Sequence, residues 1–289
     1  MSSLDPRQYK EAERQSWDSV ANNWQKWWKT IERGAEKVSR RLIELAEIKP
    51  GSMVLDIATG IGEPAVTAAN WVGKNGHVLA TDISPQMLSV AKQRAISLGL
   101  QNLIEFKEGD IETIDLPSST FNAVLCRFGL MFLPDLKAGL SNIYKSLLNN
   151  GHFAAAVWAS PAQDSLIART MEIVMKGTHT HNTPPPGTPG PFSLSDENSL
   201  MNSFMMSGFK DVNIERMKAA FDFDSPENFT YFTSETAGPL QKVLSSQTRE
   251  RKEEILKAVT EAAKKYVDNN TGIVKFKNEA ILIVGKKMK

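Results

Sequence analysis

Cysteine is almost absent: of 289 residues only Cys126 carries a thiol. One thiol excludes an intrachain disulfide and any multi-cysteine zinc site. An excess of either charge is absent too, since 34 Lys and Arg stand against 33 Asp and Glu, a formal net charge of +1. A nucleic-acid binder would normally carry a basic excess or stripe, so no nucleic-acid partner is expected. No uninterrupted apolar run reaches the ~18 residues of a membrane span. The opening stretch, Met1 to Arg7, lacks the apolar core of a secretory signal. A cytoplasmic protein with no membrane span is therefore expected. Histidine is scarce, and no metal site is expected from it. His77 and His152 begin predicted strands, while His179 and His181 precede a proline-rich loop and read as solvated. Cys126 reads as a buried strand residue rather than a nucleophile.

What is present is an alternation of short β-rich runs with helical stretches. Strands are predicted at residues 53–58, 77–82, 103–107, 121–126 and 152–159. Helices are predicted at 63–73, 85–98 and 135–148, with Asn149-Asn150-Gly151 as a turn. Ser84-Pro85 is a helix start, a capping side chain before a proline at the first helical position. Such alternation means βαβ units and a doubly wound parallel sheet. Ligands of such sheets sit outside the carboxyl ends of the strands, so function is sought there.

The flanks differ in character. Residues 9–46 are helical and hold four of the six tryptophans, Trp17, Trp24, Trp27 and Trp28. Trp17, Ala21 and Trp24 lie at i, i+4 and i+7 and so share one helix face. Residues 183–192 hold five of the 14 prolines and read as a loop. Beyond it, 195–207 reads as helix, 211–218 as strand, 226–268 as charged helix and 278–285 as the last strand. The organisation expected is an N-terminal helical cap at 1–46 and a Rossmann-like core at 47–160. Residues 161–289 would supply cap helices and the final two strands.

The chemistry concentrates at the ends of the first three strands. The first runs into Asp56-Ile57-Ala58-Thr59-Gly60-Ile61-Gly62, where glycines let a ligand approach the backbone before a helix N-terminus. Asp82 follows twenty residues after Gly62, at the end of the second strand. A carboxylate there is placed to accept from ribose hydroxyls. Gly109-Asp110-Ile111 repeats the pattern after the third strand, an acid beside an apolar residue able to lie on a purine. Gly60 to Ala65 also satisfies the dinucleotide fingerprint G-x-G-x-x-A, which keeps an NAD-dependent oxidoreductase as an alternative. Asp56 and Glu63, however, make the loop acidic, which repels a pyrophosphate and suits a cationic ligand. S-adenosylmethionine carries an ammonium, a sulfonium and no phosphate.

With these residues the sequence resembles the class I S-adenosylmethionine-dependent methyltransferases. The resemblance rests on Val54 to Gly62, Ala80 to Leu88, Glu108 to Ile111 and Phe121 to Val124, and it is close over residues 40–160. Asp82 to Leu88 is most similar to the small-molecule enzymes related to ubiquinone and menaquinone biosynthesis. The resemblance implies a seven-stranded, mostly parallel sheet with an N-terminal helical cap and a helical insertion before the last strand. It implies S-adenosylmethionine as cofactor. Asp56, Ala58, Gly60 and Gly62 would border the methionine moiety, and Asp82 the ribose, with Ile83 and Met87 near the adenine. Gly109, Asp110 and Ile111 would hold the adenine, Arg127 and Phe128 the methyl end, and Trp24 would lie in a helix folded over the cofactor. Ala58 departs from the family's D-x-G-x-G-x-G pattern and is tolerable there if its φ stays negative.

The segment Cys126 to Phe132 lacks the Asn/Asp-Pro-Pro-aromatic motif of enzymes that methylate exocyclic amino groups. It also lacks the His or Asp pair that many small-molecule relatives carry there, so no general base is assigned. The expected reaction is methyl transfer to an O, N or C nucleophile of a small, partly apolar acceptor. A fold that binds the cofactor without turnover is the other alternative, and homo-oligomer formation is left open.

Overall fold

The structure is a computed structural model that describes residues 5–163, 165–178 and 188–289. His179, His181 and most of the proline-rich loop lie outside the described residues. In chain order the elements are α1 (Pro6–Leu45), β1 (Met53–Ile57), α2 (Ala65–Val72), β2 (His77–Asp82), α3 (Pro85–Ser97), β3 (Ile104–Glu108), β4 (Phe121–Arg127), α4 (Leu136–Ser146) and β5 (Leu147–Trp158). Then come α5 (Leu166–Gly177), α6 (Glu197–Met206), β6 (Lys210–Phe223), α7 (Pro226–Thr236), α8 (Gly238–Ser245), α9 (Arg249–Ala263) and β7 (Val274–Lys286). The strands form one sheet in the order β3-β2-β1-β4-β5-β7-β6. Only β7 runs against its neighbours, pairing antiparallel with β5 and β6. The doubly wound, mostly parallel sheet is therefore as expected. Among the described residues no helix is long and apolar enough to cross a membrane.

Burial explains the sheet. β1, β4 and the second half of β5 are apolar on both faces and covered on both, as parallel strands are. On one face lie the inner half of α1, α2, and the helices α5, α7, α8 and α9. On the other lie α4 and α6, with Leu140, Ile143, Leu200 and Phe204 fully buried. The helix starts follow capping rules: Asp5 accepts from the Arg7 amide before Pro6, and the Ser84 hydroxyl accepts from the Met87 amide before the α3 interior.

Several boundaries differ from expectation, each for a tertiary reason. Residues 149–151 are not a free turn but part of β5. Phe121 pairs with Leu147 and Ala123 with His152, so the residues between form a bulge. The segment is pinned to the stretch after β7, since the Asn150 amide donates to the Lys287 carbonyl and the Lys287 amide to the Gly151 carbonyl. β6 and β7 run past the expected 211–218 and 278–285 because Phe221, Phe223 and Phe276 pack on Phe229 and Phe232 of α7. The stretch 226–268 breaks into three helices rather than one, with Gly238-Pro239 opening the second and Thr248 capping the third.

α1 runs for 40 residues, about 60 Å, in one helix. Ile31, Ala35, Val38 and Leu42 form a buried stripe at spacings of four, three and four that anchors its second half on the sheet. Gly34 sits in that half, against the Phe221 ring; a Cβ there would lie 2.3 Å from the ring. In a free helix Gly→Ala gains about 0.5–1 kcal/mol. Here overpacking, at about 1–3 kcal/mol, outweighs it. Gly34→Ala is expected to lower Tm in a thermal melt, and a raised Tm would show that Phe221 yields freely.

Candidate active site

The expected site residues gather at the carboxyl ends of β1, β2, β3 and β4. Asp56 ends fully buried. Its Oδ2 accepts from the Thr59 hydroxyl at 2.6 Å and from the Ala65 amide at 2.9 Å, so it closes the loop onto the start of α2. Its Oδ1 is equally buried and has no hydrogen-bond partner. Asp82 is bound from both sides: the Gly60 amide donates to Oδ2 at 2.8 Å and the Ser84 amide to Oδ1 at 2.9 Å. The β1 and β2 ends are thus one hydrogen-bonded unit. Burial pushes the Asp56 carboxyl up to about 8 and that of Asp82 up to about 6, because water no longer solvates the charge.

The loop backbone is left-handed at three points, with φ of +52° at Ala58, +55° at Gly60 and +101° at Gly62. The condition under which Ala58 would be tolerable, a negative φ, is therefore not met. Its methyl is accommodated because residue 129 is glycine, where a Cβ would come within 2.4 Å of that of Ala58. The two true glycines differ. Gly62 is closed by Ala91, whereas a Cβ on Gly60 would meet nothing within 4 Å. Open space over a left-handed glycine forms a cradle in which a ligand can approach the backbone.

Two guanidiniums and two further acids surround this cradle. Arg127, at the end of β4 and with its side chain 6% exposed, donates to Ser39 at 2.8 Å and to both oxygens of Glu32 at 3.1 and 3.4 Å. Arg94 of α3 donates to the Ile61 carbonyl inside the glycine loop and lies 4.9 Å from the Trp28 ring. Glu63 is buried, accepts from Thr67 and stands 3.8 Å from Arg94; burial and the nearby Glu32 raise its carboxyl. Asp56, Glu63 and Glu32 thus share Arg94 and Arg127, while Asp82 is met by backbone amides, so the buried acids outnumber the guanidiniums beside them.

α1 crosses this end of the sheet strand by strand. Lys10 binds Asp110 at 2.6 Å and also Glu112. Asp18 accepts from the Ser84 hydroxyl at 2.6 Å. Trp17, Trp24 and Trp28 pack on Val20, Ala21, Ile61, Met87 and Val90. Trp17, Ala21 and Trp24 do share a face, as expected. Met87 and Ile111 are both buried, Met87 under the tryptophans and Ile111 in the cluster against α4. Ile83 is half-buried between Asp82 and Ser84, and Gly109 is closed by Ile114, 2.4 Å from where its Cβ would be. Asp110 accepts from the Glu112 amide as well as from Lys10.

Phe128, also left-handed at φ +62°, stacks on Trp158 with ring centroids 3.8 Å apart. Trp158 neighbours Phe221, and Phe221 neighbours Phe232. The β4–β5 end of the site is therefore walled by aromatics. Cys126 is buried and its thiol is pushed up to about 12, which leaves it inert. Lys10, Asp18, Glu32, Glu63 and Arg94 were not among the expected site residues. Each is held by a partner at least 31 residues away in sequence.

Ala58 and Gly129 form a testable pair. A left-handed alanine costs about 1–2 kcal/mol, so Ala58→Gly is expected to gain up to about 1 kcal/mol in denaturant unfolding. Gly129→Ala alone is expected to destabilise, and the double variant to recover part of that loss. Strictly additive effects would contradict the contact.

A family model described as a methyltransferase domain matches residues 54–151. The ubiquinone/menaquinone biosynthesis C-methyltransferase UbiE of Hydrogenovibrio crunogenus is 31% identical over 150 residues, 52% of this chain and 59% of that protein. The chain thus spans about three-fifths of the length of that relative. The YcgJ protein of Bacillus subtilis superposes at TM-score 0.58 and 18% identity over 88% of this chain and 99% of that one. Haemonchus contortus phosphoethanolamine N-methyltransferase 2, solved with S-adenosyl-L-methionine, superposes at TM-score 0.55 and 15% identity over 90% of this chain and 56% of that one. At such identities the two structures show a shared fold. The chain thus shares the fold of these solved structures, matches a methyltransferase-domain model over residues 54–151, and is similar to the ubiquinone/menaquinone biosynthesis C-methyltransferases across its central part.

Proposed function

We propose that the chain transfers a methyl group from S-adenosylmethionine to a small, partly apolar acceptor. The observation that carries this reading is the surplus of buried carboxylates around the open face of Gly60. When bound, S-adenosylmethionine supplies a methyl already activated on a sulfonium. The residues present fit it. The unpartnered Asp56 Oδ1 is free to accept from the ammonium, and Asp82 to accept from the ribose hydroxyls beside the Gly60 amide. Asp110 takes the adenine amino group, with Lys10 keeping its hold on Glu112. Ile83, Met87, Gly109, Ile111 and Trp24 enclose the purine side, and Ala58, Gly62 and Arg127 border the methionine side. A pyrophosphate would meet the same carboxylates as repulsion, which disfavours an NAD reading.

The chain's own contribution is then positioning and exclusion of water. Phe128 and Trp158 form a flat apolar wall at the β4–β5 end that suits a planar acceptor. A ring carbon is the first acceptor class to test, since the curated relatives are named as C-methyltransferases. A cytoplasmic location and a small-molecule rather than nucleic-acid partner go with this reading.

Titration calorimetry with S-adenosylmethionine tests it. Binding is expected for the parent chain, and Asp82→Ala is expected to weaken it at least about tenfold, the worth of a charge-assisted hydrogen bond. No binding at millimolar ligand, or binding of NADH in its place, would overturn the proposal.

A further inference from the structure

α7 lies in the insertion before β7, outside the residues matched by the family model. Its C-terminus is held mainly by α1, with Gln241 of α8 also donating to the Glu235 carbonyl at 3.2 Å. The last carbonyls of a helix have no partner within it and must find one elsewhere. Here Asn23 donates its side-chain amide to the Glu235 carbonyl at 2.9 Å, and the Trp24 indole N–H donates to the Thr236 carbonyl at 2.8 Å. The Glu235 carboxylate accepts from the Trp27 indole at 2.6 Å and from Lys26 Nζ at 2.7 and 2.9 Å. Four residues within one and a half turns of α1 therefore grip two consecutive residues of α7. An edge contact between the Trp27 and Phe232 rings, 5.6 Å between centroids, completes the joint.

The two helices border different halves of the site. α1 crosses the cofactor loops through Lys10, Asp18, Trp24 and Trp28. α7 supports the acceptor wall, because Phe232 packs on Phe221, which packs on Trp158, which stacks on Phe128. The inner half of α1 is fixed in the core by Val38, Leu42 and Ile43, all fully buried. Its outer half, by contrast, is largely exposed on its outward face and is held by the small tryptophan cluster over Ile61, Met87 and Val90 and by the Lys10 and Asp18 pairs. The Glu235 joint sits near the middle of the helix, where the two halves meet.

We propose that Glu235 is a positioning residue that locks the acceptor cap to the helix covering the cofactor, so that both halves of the site close as one. It touches neither ligand and acts through Trp27 and Lys26. The inference rests on S-adenosylmethionine being the ligand under α1. With the joint intact, bound cofactor leaves only when α1 and α7 lift together; with the joint cut, α1 lifts alone and the ligand leaves faster.

The test combines Glu235→Ala and Glu235→Gln with two measurements on the full chain. The first is S-adenosylmethionine affinity and dissociation rate. The second is amide hydrogen exchange across residues 10–28 without ligand. Glu235→Ala is expected to speed dissociation and weaken affinity about tenfold, and to raise exchange in 10–28. Glu235→Gln keeps an oxygen for the Trp27 indole and is expected to stay within about threefold of the parent. Parent-like dissociation and exchange in Glu235→Ala would overturn the proposal. Should Glu235→Ala fail to fold, Trp27→Phe, which removes the N–H and keeps ring area against Phe232, must show the same faster dissociation, and parent-like behaviour there overturns it. Absence of S-adenosylmethionine binding in the parent would sink the proposed function, while the exchange of residues 10–28 would still decide whether the joint holds α1.

Discussion

Carboxylates buried where water cannot reach them set the terms for this fold. Asp56, Asp82 and Glu63 crowd the glycine loop at the ends of β1 and β2, and burial holds each above the ordinary carboxylate range. Ionised acids in such a place are costly unless hydrogen bonds and opposite charges offset the lost hydration. The surrounding structure supplies both in part. Backbone amides of Gly60, Ser84 and Ala65 point at the acids, and Arg94 and Arg127 are drawn in from α3 and β4. What remains unmet is the Asp56 Oδ1, which is buried without a hydrogen-bond partner, while the Gly60 side of the same loop stays open.

The same demand explains why a single helix of 40 residues serves the whole site. Arg127 needs Glu32 and the buried Ser39, both on α1. Asp110 and Glu112 need Lys10, and Ser84 is met by Asp18. Each pair joins α1 to the end of a different strand or loop, and further along Arg41 pairs with Glu215 of β6 at 2.7 Å. Isolated ion pairs of this kind contribute little to stability where exposed. Their joint effect is register: α1 has one lie across the strand ends, which puts the tryptophans over the loop.

Much of this was legible in the chain. The β2 span matched to the residue, because an apolar run closed by Asp82 and a Ser-Pro cap marks both ends. The tryptophan face was legible because helical spacing alone decides it. The lengthened β6 was half legible, since Ala219, Phe221 and Phe223 alternate inward as a strand does. The breaks near Gly238 and Thr248 carried ordinary signals that the run of charges masked. Ala58 was misread because its left-handed backbone depends on Gly129, seventy-one residues away. The pairs Lys10–Asp110, Glu32–Arg127 and Trp27–Glu235 had no local signal at all, since nothing in an isolated lysine or glutamate names its partner across the fold.

On the proposed function, the cradle around Gly60 takes a cation. The carboxyl raised to about 8 at Asp56 holds its proton at neutral pH in the free chain, while that of Asp82, raised to about 6, keeps its proton only below neutrality. A bound cation favours their ionised forms, so binding must expel protons and tighten as pH rises toward those values, then level off. The most direct measurement is calorimetric titration of S-adenosylmethionine from about pH 6 to about pH 8.5, in buffers of differing ionisation enthalpy. The account predicts proton release and rising affinity, both diminished in Asp56→Asn. Affinity independent of pH, with no proton exchanged, would contradict it.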